Sequence, residues 1–215
     1  EGSRVEAGRR ARRRVRMYCV ATGLDRFGTL AYAGAGCHDQ RAVRDDLGRF
    51  WRRLRASLGG EALAYLWVPE WHPGGHGLHV HFAVGRYVQR SKIIAAWDAS
   101  AQGAPGGRVD IRRLADVPVG ASSREPARVA AGYLAKYVAK SFDGGGAGQE
   151  RLKYLKRYDV AEGFQPAREA VYGTSLGAVI AAASERMRAL PARDWLSWRD
   201  ASEWQGPPAV WFRWD

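Results

Sequence analysis

Three short stretches of the chain carry side chains that could do chemistry together. The segment LHVHFAV (78–84) places two histidines two apart in a run of β-branched and aromatic residues, which predicts a strand. Side chains alternate faces along a strand, so Leu78, Val80, Phe82 and Val84 share one face while His79 and His81 project together from the other. Two imidazoles side by side are either half of a metal site or polar surface. Glu70 ends the preceding apolar run, ALAYLWVP (62–69), across the turn EWHPGGHG. A hairpin brings those strand ends together, so a carboxylate can complete a His/His/Glu set. One carboxylate and two imidazoles with open positions suit an octahedral divalent ion, Mg²⁺ or Mn²⁺, with imidazole tilting the choice towards manganese. His72 and His76 fall in the turn and read as exposed loop residues, outside the direct ligand set.

The third stretch is GYLAKYVAKSF (132–142), in which Tyr-x-x-Lys occurs twice. On a helix, residues four apart lie on one face about 6 Å apart along the axis. Tyr133 and Tyr137 therefore point one way, with Lys136 and Lys140 on a neighbouring stripe, while Leu134, Ala135 and Val138 supply packing elsewhere. The bland reading is half-buried tyrosines with bonded hydroxyls. The sharper one is a pair of nucleophiles. A phenol of pKa about 10 needs cationic or metal help to attack, and a lysine one turn away stabilises phenolate or phosphate charge. Taken with the His/His/Glu set, this points to phosphoryl transfer with a covalent phosphotyrosine. No GxxxxGK[ST] is present, so the energy would come from the conserved phosphodiester rather than from a nucleotide on a P-loop.

Elements that must position these groups can be read from periodicity. MYCVAT (17–22) and GTLAYA (28–33) read as strands, and residues 41–58 as a helix with Val43, Leu47, Phe50, Trp51, Leu54 and Leu58 on one face. A hairpin over 62–84, a helix over 91–100, a strand at 109–111 and a helix over 126–141 follow. DGGGAG (143–148) is a loop or hinge, and 150–190 reads as mostly helical. This order predicts an α+β protein: an antiparallel sheet with helices packed against it. The expected organisation is a basic tail over 1–16, a main domain over 17–190, and an extension over 191–215 packed on that domain. Five of the nine tryptophans fall in 194–215, where core packing and base stacking on single-stranded DNA are both open readings.

Composition narrows the partners. A net charge of +12 favours a polyanion, and seven arginines against two glutamates in residues 1–16 suit phosphate contacts, with Arg12, Arg13, Arg14 and Arg16 as candidate DNA-binding residues. Only five of the 34 basic residues are lysines, and two of those lie in the doublet. No apolar run approaches the roughly 20 residues of a membrane span, and no apolar segment follows the arginines as in a signal peptide. Two cysteines, Cys19 and Cys37, cannot build a disulfide framework, so a reduced, cytoplasmic setting is expected. The chain begins at Glu1 without methionine, as a fragment of a longer protein would.

Three segments in order resemble the HUH (His-hydrophobe-His) endonucleases that initiate rolling-circle replication. They are GTLAYAG (28–34), PEWHPGGHGLHVHF (69–82) and YLAKYVAK (133–140). The doubled tyrosine is similar to initiators of small single-stranded DNA phages and related plasmids, and RYDVAEGFQP (157–166) resembles actinobacterial plasmid initiators. The resemblance covers roughly 15–166. Ala31 departs from it, standing where the first motif often has a second threonine. The resemblance implies an RRM-like sheet with His79, His81 and Glu70 as ligands of Mn²⁺ or Mg²⁺. It implies Tyr137 as first nucleophile and Tyr133 as second, with Lys136 and Lys140 orienting the phosphate or a water on the metal. The implied partners are single-stranded origin DNA, with a hairpin as one form of it, and a host helicase, since no helicase motif is present. A relaxase or single-strand transposase would share this chemistry. A non-catalytic RRM-like nucleic-acid-binding module and a metal hydrolase without a covalent step are the alternatives from other classes.

Overall fold

In a computed structural model the chain is described over residues 2–101, 107–113, 126–140, 152, 155–165, 169–188, 196–197 and 210–211. One compact unit spans Glu1–Pro166 and a second spans Ala167–Asp215. The first contains α1 (Gly2–Ala21), β1 (Arg26–Leu30), α2 (Gln40–Ser57), β2 (Tyr65–Trp71), β3 (Leu78–Val84), α3 (Arg90–Asp98), β4 (Val109–Arg113), α4 (Pro126–Lys140) and β5 (Asp159–Val160). Its five strands form one antiparallel sheet in the order β4-β1-β3-β2-β5, the α+β arrangement expected from the pattern.

The alternation of β3 sorts the two faces. Leu78, Val80, Phe82 and Val84 enter a core built with Val43, Leu47, Phe50, Trp51 and Leu54 of α2 and Ile93, Ala96 and Trp97 of α3. Those α2 residues recur at helical spacing, and Asp39 caps the helix by accepting from the Arg41 amide at 2.8 Å. Aromatic pairing reinforces this core: Trp51 stacks on Tyr65 at 3.7 Å and Phe50 meets Trp97 edge-on at 5.9 Å. Gly28 on β1 makes room for it, because a Cβ there would stand 2.4 Å from the Phe82 ring and 2.6 Å from the Asp110 carbonyl.

The opposite face, which carries the histidines, is covered by α1 and α4 over a core of smaller residues: Ala11, Val15, Ala64, Ala83, Ala131 and Ala135, with Leu66, Val68, Leu134 and Val138. This corrects two expectations. Residues 2–16, expected as a tail, and 17–21, expected within a strand, instead form one helix, α1, which packs along α4. The physical reason is a buried stripe of Gly8, Ala11, Val15, Tyr18 and Cys19 that recurs with helical period and is made, apart from Tyr18, of small side chains. Small residues give a weak hydrophobic signal, and the β-prone Tyr-Cys-Val-Ala-Thr run masked its continuation. Cys19 and Cys37 are both free thiols.

Residues 150–190 also depart from the mostly helical reading. Among the described residues, 155–165 are irregular apart from β5, which pairs with β2, and helix is found at α5 (Leu176–Met187) in the second unit. Ser175 caps α5 by accepting from the Ala178 amide at 3.2 Å. The second unit also holds a two-stranded sheet of β6 (Leu196–Ser197) and β7 (Val210–Trp211). The expected loop at 143–148 and four of the five C-terminal tryptophans lie outside the described residues. No described helix is long and apolar enough to cross a membrane.

A helix packed at residue 15 and open at residue 13 makes a direct prediction. Val15→Asp, which buries an unpaired charge, lowers unfolding free energy by about 3 kcal/mol, whereas Arg13→Asp changes it by less than about 0.5 kcal/mol. Urea titration followed by circular dichroism reads both; a disordered tail would tolerate the two alike.

Candidate active site

The β2–β3 pairing sets Glu70 opposite His79 and Val68 opposite His81, and on the far side of β3 Thr29 of β1 stands opposite His81. Directly paired residues share a face. Glu70, His79, His81 and Thr29 therefore all lie on the α4 side of the sheet. Their reactive atoms converge: His79 Nε2 is 3.0 Å from His81 Nε2, and Glu70 Oε2 is 2.9 Å from His81 Nε2 and 3.4 Å from His79 Nε2. Among the described residues this is the one group of three or more His, Cys, Asp or Glu side chains able to hold a metal ion.

The donor set fits a divalent ion on its own terms. Bonds of about 2.1 Å at right angles place ligand atoms about 3 Å apart, close to the separations seen. Protonation states also suit. Burial pushes the Glu70 carboxyl up, but hydrogen bonds from His79, His81 and Lys140 outweigh it and hold the group well below the ordinary carboxylate range. Burial pushes His81 down, against the pull of the Glu70 hydrogen bond, and so favours the neutral imidazole. A charged carboxylate and a neutral imidazole are the forms that bind metal. His79 Nδ1 is buried without a hydrogen-bond partner among the described residues.

The α4 helix faces these groups. The Tyr137 ring stacks on His81, centroids 3.9 Å apart and planes 25° from parallel. Phe27 of β1 is packed beside both, 5.4 Å from His81 and 6.3 Å from Tyr137, and 5.6 Å from Tyr133. Tyr133 lies one turn back along α4, its ring 6.3 Å from that of Tyr137. Burial raises the Tyr137 phenol, the Glu70 charge adds to it, and Lys140 opposes them, so the resting hydroxyl stays protonated. Lys140 Nζ sits 2.9 Å from Glu70 Oε1, the oxygen turned away from the histidines, and 5.5 Å from the Tyr137 ring centre. That contact raises the lysine further. Lys136 is exposed.

Of the sequence candidates, Glu70, His79, His81, Tyr137 and Lys140 come together, with Tyr133 adjacent. Arg12, Arg13, Arg14 and Arg16 are on α1, where Arg13, Arg14 and Arg16 are exposed and Arg12 is half-buried. His72 and His76 are exposed in the turn as expected, although the His72 ring is 5.5 Å from that of His79. Sequence reading did not single out two residues. Thr29 Oγ1 lies 3.1 Å from His81 Nδ1 and holds the ring from its rear nitrogen, leaving Nε2 turned to the site. Phe27 forms the floor under three rings. Both lie at or beside GTLAYAG, and the clue to them is strand alternation, which puts Phe27 and Thr29 on the same face.

The fold and site define a sheet protein with a candidate divalent-metal centre facing a helix that carries two tyrosines. The chain belongs to the replication-associated protein ORF2/G2P family, whose model matches residues 25–142, more than half its length, from β1 to just past α4. No curated protein and no solved structure matches the chain significantly.

Two measurements check this geometry. Thr29→Val, which cannot bond His81, weakens Mn²⁺ binding about 10- to 100-fold by calorimetric titration, while Thr29→Ser retains it. For pH, both shifted groups have folded pKa values below their unfolded ones. His81 therefore contributes stability above about 6.5 that is lost as pH falls, and Glu70 contributes stability above about 4.3 that is lost at lower pH. In chelator the thermal midpoint falls steadily from pH 7 to pH 3, and Glu70→Gln removes the part of the fall below about 4.3.

Proposed function

We propose that this protein nicks and rejoins single-stranded DNA at a replication origin, initiating rolling-circle replication through a 5′-phosphotyrosine intermediate. The observation that carries the reading is the stacking of Tyr137 on His81, inside a cluster where Glu70, His79 and His81 aim their donor atoms at one point. Membership of a replication-associated family supports DNA at an origin as the substrate.

In this reading Glu70, His79 and His81 hold Mn²⁺ or Mg²⁺, which when bound supplies Lewis-acid polarisation of a scissile phosphate. The Tyr137 oxygen attacks phosphorus and loses its proton. The bond from phosphorus to the 3′ oxygen breaks, and that oxygen takes up a proton to become a free 3′-OH. The phosphodiester energy is kept in the tyrosine ester, so a later attack by a 3′-OH reseals the strand without ATP. Tyr133, one turn along the same helix face, is the nucleophile for a second transfer. Lys140 fixes Glu70 and lies beside the Tyr137 ring, where its charge favours the phenolate; Lys136 is free to meet phosphate. Arginines of α1 add contacts to the DNA backbone, and strand separation falls to a helicase. Tyr137 acts first because it, not Tyr133, touches a ligand histidine.

The test is a covalent adduct on a denaturing gel, with Mn²⁺ and a single-stranded oligonucleotide carrying the origin. Tyr137→Phe lowers the rate of adduct formation by at least about 100-fold, Tyr133→Phe leaves the first adduct near its normal level but blocks the second transfer, and the double variant forms none. Adducts that persist in the double variant would rule the tyrosine mechanism out, and loss with Tyr133→Phe alone would reverse the order of the two.

A further inference from the structure

The exposed face of α1 is a ridge of arginine. Its buried stripe (Ala11, Val15, Tyr18, Cys19) packs with α4, and Arg9, Arg13 and Arg16 recur at i, i+4 and i+7 on the opposite side, flanked by Arg10 and Arg14. Over these residues the helix rises about 10 Å. Arg9/Arg13 and Arg10/Arg14 are like-charged i,i+4 pairs, which destabilise a helix. Among the described residues none of these five arginines forms an ion pair within the protein. A fold that keeps this repulsion has a use for it outside the molecule.

Three partners offer the needed negative charge, and the surface separates them. An anionic membrane takes up a basic helix through its apolar face, but here that face is occupied by α4. Single-stranded DNA is gripped by aromatic side chains on which bases stack. The outer face of α1 offers none: Tyr18 is buried, and the exposed positions among the described side chains are Val5, Glu6, Arg9, Arg10, Arg13, Arg14, Arg16, Val20 and Ala21. A row of long cations without a stacking platform suits the phosphate backbone of a duplex, where bases are already stacked.

We infer that the Arg9/Arg13/Arg16 ridge binds the backbone of duplex DNA flanking the single strand presented to α4. This rests on the nicking reading for the identity of the strand at α4, though duplex binding itself does not. The ridge sits on the helix that packs against the tyrosine helix, on the same side of the sheet. A junction of duplex and single strand would then meet the ridge with its paired part and Tyr137 with its unpaired part.

The experiment uses the 215-residue chain in metal-free buffer, with a fluorescein-labelled 20-base-pair duplex and a single strand of equal length, read by anisotropy over a salt series. R9Q/R13Q/R16Q weakens duplex binding at least about tenfold and lowers the slope of log affinity against log salt by about 2.7, roughly 0.9 for each contact removed. R9K/R13K/R16K keeps the affinity within about threefold, which separates loss of charge from loss of fold. R52Q/R53Q/R55Q, an equal change on exposed positions of α2 on the other side of the sheet, has less than threefold effect. Equal losses from the two glutamine triples, or none from either, overturn the ridge. Equal weakening of the single strand and the duplex overturns the duplex assignment, as does ridge-dependent capture by phosphatidylserine vesicles without duplex binding. Adduct formation on a bare saturating oligonucleotide is measured in parallel. Failure there with duplex binding intact counts against the nicking reading alone.

Discussion

The register of β2 against β3 is the constraint on which the site depends. With Glu70 opposite His79, the carboxylate and both imidazoles share a face; a one-residue slip would send Glu70 into the aromatic core and the cluster would not exist. The turn that fixes this register is itself clamped from outside the hairpin. The loop after β1 bridges it through Cys37 and Gly77, and the Leu78 amide donates to the Cys37 carbonyl at 2.7 Å. Gly77 has φ +69°, and a Cβ there would stand 2.3 Å from the Cys37 oxygen, so the clamp requires glycine on both counts. Within the turn, the His72 amide donates to the Gly77 carbonyl and its Nδ1 accepts from the Gly74 amide. His72, outside the cluster, thus helps hold Glu70, His79 and His81 in register.

Glu70 is the electrostatic hinge of the site. One oxygen faces the histidines and the other meets Lys140, so a single carboxylate joins the sheet to the tyrosine helix. The same negative charge raises the Tyr137 phenol while Lys140 pulls it back. Tyr137 and the His79/His81/Glu70 cluster are therefore coupled through one side chain. Whatever neutralises Glu70 favours ionisation of Tyr137, and Lys140, on the last turn of α4, is placed to follow either group.

How much of this could be read from sequence follows from the distance over which each interaction acts. The hairpin, the His79/His81 pairing and the shared face of Tyr133 and Tyr137 come from periods of 2 and 3.6, which are local, and each of these elements is where the pattern put it. The opposition of Glu70 and His79 needed only a short turn. Thr29 behind His81 and Phe27 beneath Tyr133 depend on pairing across 52 and more than 100 residues, which no local pattern encodes. The helix α1 was hidden differently. Its arginines advertise a solvated tail, and the small residues that bury it contribute too little hydrophobicity to contradict them.

The tyrosine helix packs on a sheet face whose core is rich in small residues. On the α2 and α3 side the gap is filled by Phe50, Trp51, Phe82 and Trp97. On the α4 side Ala64, Ala83, Ala131 and Ala135, with Ala11 and Val15 from α1, stand among Phe27, Leu66, Val68, Leu134 and Val138. Backbones approach more nearly where side chains are short, and close-packed interiors move little. The 3.9 Å stacking of Tyr137 on His81 thus stands beside packing contributed by Ala131, Leu134, Ala135 and Val138 of the same helix. An aromatic ring of the same size in place of either tyrosine leaves that packing untouched. The hydroxyl can therefore be removed without moving the helix, and chemistry and architecture on α4 are separable.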